Sequence, residues 1–209
     1  MKSFLLLALM GVLFTTSFSQ GSAKVTTAED AAKSAVGVGS LMPAFTLKDS
    51  LGNKVSSKAL LGKGSLVVVF YRGAWCPFCN TYLRTLQKNI SRFKENGGTL
   101  VAISAENPDL GMAVAKKNEL TFTVLSDPDL ATARKFGLVY QLPTDTDEKY
   151  KSRGLDVAKN NGMDKPELPV SATYVVSSKG EIVFAHIDAD YKKRAESDAI
   201  VAALAKIGQ

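Results

Sequence analysis

Cysteine and histidine are scarce in this chain, with two Cys and a single His in 209 residues. A structural zinc site wants four thiolate or imidazole ligands, so this supply excludes one and no metal is expected. Two cysteines are also too few for a disulfide framework, and a chain this long buries a sizeable core without one. Dense basic tracts are absent as well. Lys and Arg number 26 against 20 Asp and Glu, for a formal net charge of +6. The fullest groups, Lys149, Lys151, Arg153 and Lys192, Lys193, Arg194, are broken by or adjoin polar and acidic residues. They read as solvated faces, and nucleic-acid binding is not expected. There is no repeat and no low-complexity segment. What is present suits one globular domain: 45% hydrophobic and 22% charged residues, with 16 Gly and 7 Pro.

The first twenty residues, MKSFLLLALMGVLFTTSFSQ, have the three-part layout of a secretory signal peptide. Lys2 supplies the positive start, Phe4 to Phe14 the apolar run, and Ser17-Phe18-Ser19 a small-x-small cleavage site. A run of about 11 apolar residues is short of the roughly 20 that cross a bilayer, so cleavage after residue 19 is expected rather than anchorage. No later stretch approaches that length. The expected mature protein is exported, secreted or periplasmic, and free of the membrane, in a compartment where disulfides persist.

Residues 20–40 are small and polar and are expected to form a flexible leader into a single domain over 41–209. Beyond Leu41 two periodicities alternate. Ser65 to Tyr71 is a β-branched apolar run, suited to a strand buried on both faces. A helix is predicted from about Pro77 to Glu95, with Leu83, Leu86, Ile90 and Phe93 at three- and four-residue steps and Gly97-Gly98 stopping it. Thr99–Ser104 and Phe122–Leu125 read as further strands. Asn107-Pro108 and Asp127-Pro128 both read as a cap followed by Pro at the first helical position, and Gly137 closes the second of those helices. Residues 141–169 are charged and carry Pro143, Pro166 and Pro169, which predicts a surface excursion with one helix. Thr173–Val176 and Ile182–Ile187 flank a hairpin turn, and an amphipathic helix from about Glu196 ends the chain. The layout is α/β, a mixed sheet flanked by helices, with parallel crossovers early and an antiparallel hairpin late.

Both cysteines sit together in Trp75-Cys76-Pro77-Phe78-Cys79, between the most apolar strand and the helix after it. Free N–H groups and the dipole at a helix start favour an anion, which lowers the pKa of Cys76. Pro77 at the first helical position gives up an N–H that would be orphaned anyway. Cys79, three residues on, shares a helix face with Cys76 and is placed to close a disulfide. A four-residue loop gains only about 2 kcal/mol from such a bridge, so stability alone is a poor reason for it. Redox chemistry is the better one. His186, in a strand pattern, reads as a structural or surface residue rather than a base.

An activated thiolate with a second thiol on the next turn supports two reactions. Cys76 could attack the O–O bond of a hydroperoxide and become a sulfenic acid that Cys79 traps as a disulfide. Alternatively, the substrate could be another protein's disulfide or dithiol. The cysteine pair alone does not choose between them. Peroxide reduction also needs donors on the peroxide oxygens. The backbone N–H groups of Ala74 to Cys76 and the Arg72 guanidinium are nearest in sequence.

The stretch from Val67 to Cys79, VVVFYRGAWCPFC, resembles the core strand and active-site loop of the thioredoxin-like superfamily. Leu125–Asp129 (LSDPD) with Ala133–Gly137, then Ala172–Val176, Lys179–Ile182 and Ala185–Tyr191, are similar to segments of peroxiredoxins. From about Met42 to the C-terminus the chain resembles the alkyl hydroperoxide reductase/thiol-specific antioxidant group, in its C-x-x-C form. The resemblance implies a thioredoxin fold and a thiol peroxidase acting on hydrogen peroxide and organic hydroperoxides. It implies a peroxidatic cysteine followed by Pro (Cys76-Pro77) and a thioredoxin-like dithiol reductant. Arg72, Trp75 and Pro77 are the expected supporting residues, and no cofactor is implied. Three features depart from the family pattern. Cys79, expected to resolve the sulfenic acid, lies three residues on, as in thioredoxins. Gly73 stands where Thr or Ser is usual. Ser171 stands where those enzymes have Arg and thioredoxins a cis-proline, with Pro169 two residues earlier as a substitute. With both cysteines in one helix, the cycle needs no second subunit, and a monomer is expected.

Overall fold

The computed structural model describes residues 27–208. In chain order the elements begin α1 (Ala28–Ser34), β1 (Thr46–Asp49), β2 (Lys54–Ser56), α2 (Ser57–Leu61), β3 (Ser65–Phe70) and α3 (Pro77–Lys88). Then come α4 (Ile90–Glu95), β4 (Gly98–Ser104), α5 (Pro108–Lys117), β5 (Thr123–Ser126), α6 (Ala131–Lys135) and β6 (Val139–Gln141). The last are α7 (Thr144–Lys151), α8 (Val157–Asn161), β7 (Glu167–Pro169), β8 (Ser171–Val176), β9 (Ile182–Asp188) and α9 (Ser197–Ile207).

A seven-stranded sheet runs in the order β2-β1-β5-β4-β3-β8-β9. Strand β3 is parallel to β4, and β4 to β5, as the helical crossovers require. The hairpin of β8 and β9 is antiparallel and joins through β8 to β3. This is the α/β mixed sheet the sequence implies. The run Leu66 to Tyr71 lies inside the sheet, between β4 and β8, and is wholly buried. Its side chains alternate faces, as a strand's must. Leu66, Val68 and Phe70 join one apolar layer with Phe136 and Tyr174, while Val67, Val69 and Tyr71 join another built on α3, α4 and α9. The cysteines belong to this second layer.

Four stretches differ from the sequence expectation. The helix predicted over 77–95 is broken at Asn89, whose side-chain amide donates to the Thr85 carbonyl at 2.9 Å and whose backbone leaves helical geometry. Asp127-Pro128 does not start α6. Asp127 caps it from further back, its two carboxylate oxygens accepting from the N–H groups of Thr132 (3.0 Å) and Ala133 (2.9 Å). The 141–169 excursion holds two short helices, α7 and α8, and contributes β7 to a two-stranded sheet with β6.

The fourth concerns the leader. Residues 27–40 are docked, not flexible: Thr27 caps α1, Ala31 is fully buried, and the N–H groups of Val36 and Gly39 bond the carbonyls of Phe136 and Ile182. Small side chains, which looked like little to bury, let this segment approach closely. The fit is tight at Gly137, whose φ of +71° ends α6 and where a Cβ would stand 2.6 Å from the Ser34 carbonyl oxygen. The signal segment and residues 20–26 lie outside the described residues. No helix among the described residues is long and apolar enough to cross a membrane.

Candidate active site

Strand β3 delivers the chain to a loop of residues 71–76 at the sheet's C-terminal edge, and α3 begins directly after it. Cys76 is the cap residue of α3 and Pro77 opens its first turn. Cys76 and Cys79 are both free thiols, each only 1% exposed. The Cys76 sulfur closes no regular capping hydrogen bond. The Cys79 thiol, as a hydrogen-bond donor to it, does most to stabilise its anion. Burial opposes this, and the Cys79 backbone N–H, Arg72 and Arg194 add to it, so that Cys76 is lowered to about 6. Cys79 goes the other way. Its interaction with Cys76, its burial and the Cys76 charge all push its thiol up, against the pull of Arg194.

A cavity of about 220 Å³ opens beside Cys76, lined by Arg72, Trp75, Tyr150, Leu155 and Tyr191 among others. Arg72 is 3% exposed, and a guanidinium so buried needs company. Its Nη2 donates to the Tyr150 hydroxyl at 2.9 Å. Its carbon also stands 4.1 Å from the Tyr191 ring centroid and 4.8 Å from that of Trp75. Trp75 in turn meets Tyr150 edge-on. The arrangement puts a thiolate, a fixed cation and an aromatic wall around one small space.

The loop itself is pinned by buried polar groups. Asn80 donates to the carbonyls of Ala74 (2.6 Å) and Cys76 (3.1 Å), and accepts from Asn118, which accepts from Arg84. Glu106, 1% exposed at the end of β4, accepts the Ala74 N–H at 2.7 Å. Burial raises the Glu106 carboxyl to about 7, with the nearby Cys76 charge adding to the effect and the Ala74 N–H opposing it. These bonds correct one expectation. The N–H groups of Ala74 and Cys76 are not free for a peroxide, because Glu106 takes the first and the Gly73 carbonyl the second, at 3.2 Å.

Gly73 is explained by the same geometry. Its φ is +153°, and a Cβ there would stand 2.4 Å from the Trp75 indole nitrogen and 2.9 Å from a Glu106 carboxylate oxygen. The loop is therefore built around the missing side chain. Ser171 is buried at the start of β8 and does not line the cavity. Pro169 pairs with Val139 in the small sheet, and no cis peptide occurs among the described residues. Neither supplies the family's usual group. His186 lies on the edge strand β9 opposite Thr173, away from the cavity lining.

Sequence reasoning brought forward Cys76, Cys79, Arg72, Trp75 and Pro77, and all five meet at this site. It missed Glu106, Asn80, Tyr150 and Tyr191. A signal existed for Glu106, since residues just past the C-terminal ends of parallel strands gather at one edge of such sheets. Arg194 was misread as part of a solvated face. Its Nη2 donates to the Cys79 sulfur at 3.3 Å.

The comparisons with known proteins agree with this architecture. Residues 38–185 match the model of the AhpC/TSA family. The chloroplastic peroxiredoxin Q of Gentiana triflora is 36% identical over 103 residues, which cover 49% of this chain and 47% of that protein. The peroxiredoxin Q of Sedum lineare is 34% identical over 125 residues, 60% of this chain and 64% of that one. These alignments thus span between about half and just under two thirds of the relatives' length. The crystal structure of peroxidoxin BcpB from Mycobacterium tuberculosis superposes with a TM-score of 0.64 at 20% identity, covering 81% of this chain and 97% of the other. The fold is a single thioredoxin-like peroxiredoxin fold, and the chain belongs to the AhpC/TSA family.

Proposed function

We propose that the chain is a thiol peroxidase that reduces hydrogen peroxide and organic hydroperoxides. The observation that carries this is the Cys76 thiolate, stabilised on one wall of a small cavity whose other walls are the Arg72 guanidinium and aromatic rings. Cys76 attacks the nearer peroxide oxygen and the O–O bond breaks, leaving Cys76 as a sulfenic acid. Arg72 stabilises the negative charge that develops on the departing oxygen, which leaves as water or an alcohol. Trp75, Leu155 and Tyr191 give an organic peroxide's carbon chain an apolar wall. Cys79 then displaces hydroxide from the sulfenic acid, and an external thioredoxin-like dithiol reduces the resulting disulfide by exchange. With both sulfurs on one helix, a monomer completes the cycle. The signal-like N-terminus supports export, so the reductant would be one found outside the cytosol.

The Cys76–Cys79 spacing also suits a thiol–disulfide oxidoreductase. The small cavity beside Cys76, with the buried Arg72 guanidinium in its wall, fits a peroxide and favours the peroxidase. The test mixes reduced protein with one equivalent of hydrogen peroxide. Stoichiometric peroxide loss is expected, with a two-dalton loss on the Cys76–Cys79 peptide. Cys76→Ser should abolish it, and Cys79→Ser should consume one equivalent and stall as sulfenic acid. Untouched peroxide together with reduction of insulin disulfides would instead establish the oxidoreductase.

A further inference from the structure

Peroxide attack needs Cys76 ionised, but closing the disulfide needs Cys79 ionised. In that step the Cys79 thiol gives up its proton and its sulfur lone pair forms the S–S bond. The S–O bond of the sulfenic acid breaks, and hydroxide leaves with the proton as water. A buried thiol is a poor starting point for this, because burial disfavours its charged form. The groups around the Cys79 sulfur therefore decide how fast it can act.

Those groups come from three parts of the chain. Cys76 faces it from the same helix turn, and the Arg72 backbone lies near it from the loop after β3. The phenol of Tyr71 is also close, but it is fully buried and pushed well above its ordinary range, so it stays neutral. From beyond β9 comes Arg194, whose Nη2 reaches the sulfur across 115 residues of sequence. Its guanidinium lies 5.4 Å from the Tyr82 ring centroid, and the Tyr82 hydroxyl is fixed by a 3.0 Å hydrogen bond with Thr173. Arg194 also lines a second cavity, of about 460 Å³, with Phe78, Tyr82, Lys192 and Glu196, and this cavity shares Pro77 and Phe78 with the Cys76 pocket. Once Cys76 is oxidised to a neutral sulfenic acid its charge no longer repels a Cys79 anion. The guanidinium is then the nearest fixed charge to the attacking sulfur.

We propose that Arg194 is a catalytic residue of the second half-cycle, holding Cys79 as a thiolate against the sulfenic acid and so setting the rate of disulfide closure. It follows that Arg194 also protects Cys76, since a sulfenic acid trapped quickly is not oxidised further. This rests on the peroxidase reading, so the experiment has two arms. In the first, Cys76→Ser leaves Cys79 as the only thiol beside a neutral neighbour, and thiolate absorbance is titrated with and without Arg194→Gln. The thiolate fraction at neutral pH should fall about tenfold or more. Arg194→Lys, which keeps the charge, should restore part of it even if the glutamine variant loosens the loop.

The second arm uses the protein with both cysteines and follows the sulfenic acid after one equivalent of peroxide by trapping with dimedone. Arg194→Gln should lengthen its lifetime about tenfold, slow the first step by less, and raise the yield of sulfinic acid. An unchanged Cys79 titration, or a normal sulfenic lifetime with normal peroxide loss, overturns the role of Arg194. A wild-type protein inert to peroxide overturns the peroxidase reading instead, and the first arm still decides whether Arg194 holds the thiolate.

Discussion

Cys76 and Cys79 occupy one turn of one helix and are equally buried, yet they are pushed to opposite charge states. Around Cys76 the loop is rigid, and the Cys79 thiol, the start of α3 and Arg72 all favour its anion. Around Cys79 burial and the anion next door oppose ionisation, and Arg194 alone among the charged side chains pulls the other way. The difference teaches that burial does not set a thiol's reactivity. What sets it is which fixed charges and donors the fold brings to the sulfur.

Four perturbations would break or sharpen this contrast, in order of expected size. Restoring the family's usual residue by Gly73→Thr should harm the Cys76 side rather than improve it. A positive φ and a Cβ within 2.4 Å of Trp75 cost together about 4 kcal/mol, read as a lowered denaturation midpoint with loss of peroxide consumption. A Gly73→Thr protein of native stability and higher activity would show that the loop is not built around glycine.

Glu106→Gln comes next. The folded protein holds the Glu106 carboxyl at about 7 against an ordinary 4.5, so its ionised form is disfavoured by folding. Between those two pH values the native state binds more protons than the unfolded one, and stability falls as pH rises. The amide variant escapes that loss. Its stability relative to wild type should climb by about 3 kcal/mol from pH 4 to pH 8, measured by urea denaturation at each pH. A pH-independent difference would place the carboxyl's charge elsewhere in the energetics.

The third is a direct comparison of the sulfurs. At pH 7 single-hit alkylation of the reduced protein should label Cys76 about 10²-fold over Cys79, since one is mostly thiolate and the other mostly thiol. The Cys76 rate should be half-maximal near pH 6. Equal labelling in peptide maps would erase the contrast. The smallest effect is expected for Arg72→Gln, which removes a more modest contribution to the Cys76 anion. It should slow peroxide consumption about tenfold, and the alkylation profile should shift to higher pH. A slower reaction with an unshifted profile would assign Arg72 to the peroxide rather than to the thiolate.

Much of the fold was legible. Strand β3 announces itself as an apolar run rich in β-branched residues, and it is buried on both faces because helices cover both. The hairpin after Val176 and the cap at Asn107 also follow from their residues. Short elements were harder to read. Strands β1 and β2 and helix α2 span three to five residues each, too few for a periodicity to show. The segment over 27–40 was misread because a helix poor in large side chains can still be buried when its small ones fit a groove.

The site divides in the same way. The sequence by itself determined that two thiols share a helix start, with Arg72 four residues before the first. Spacing within a turn leaves local geometry little choice. Only the tertiary structure decided which other groups those thiols meet. Glu106, Tyr150 and Arg194 act on partners 32, 78 and 115 residues away along the chain. The order of strands in the sheet carries them there, and electrostatic interactions follow distance through space, strengthened where water is excluded. No local pattern records those distances.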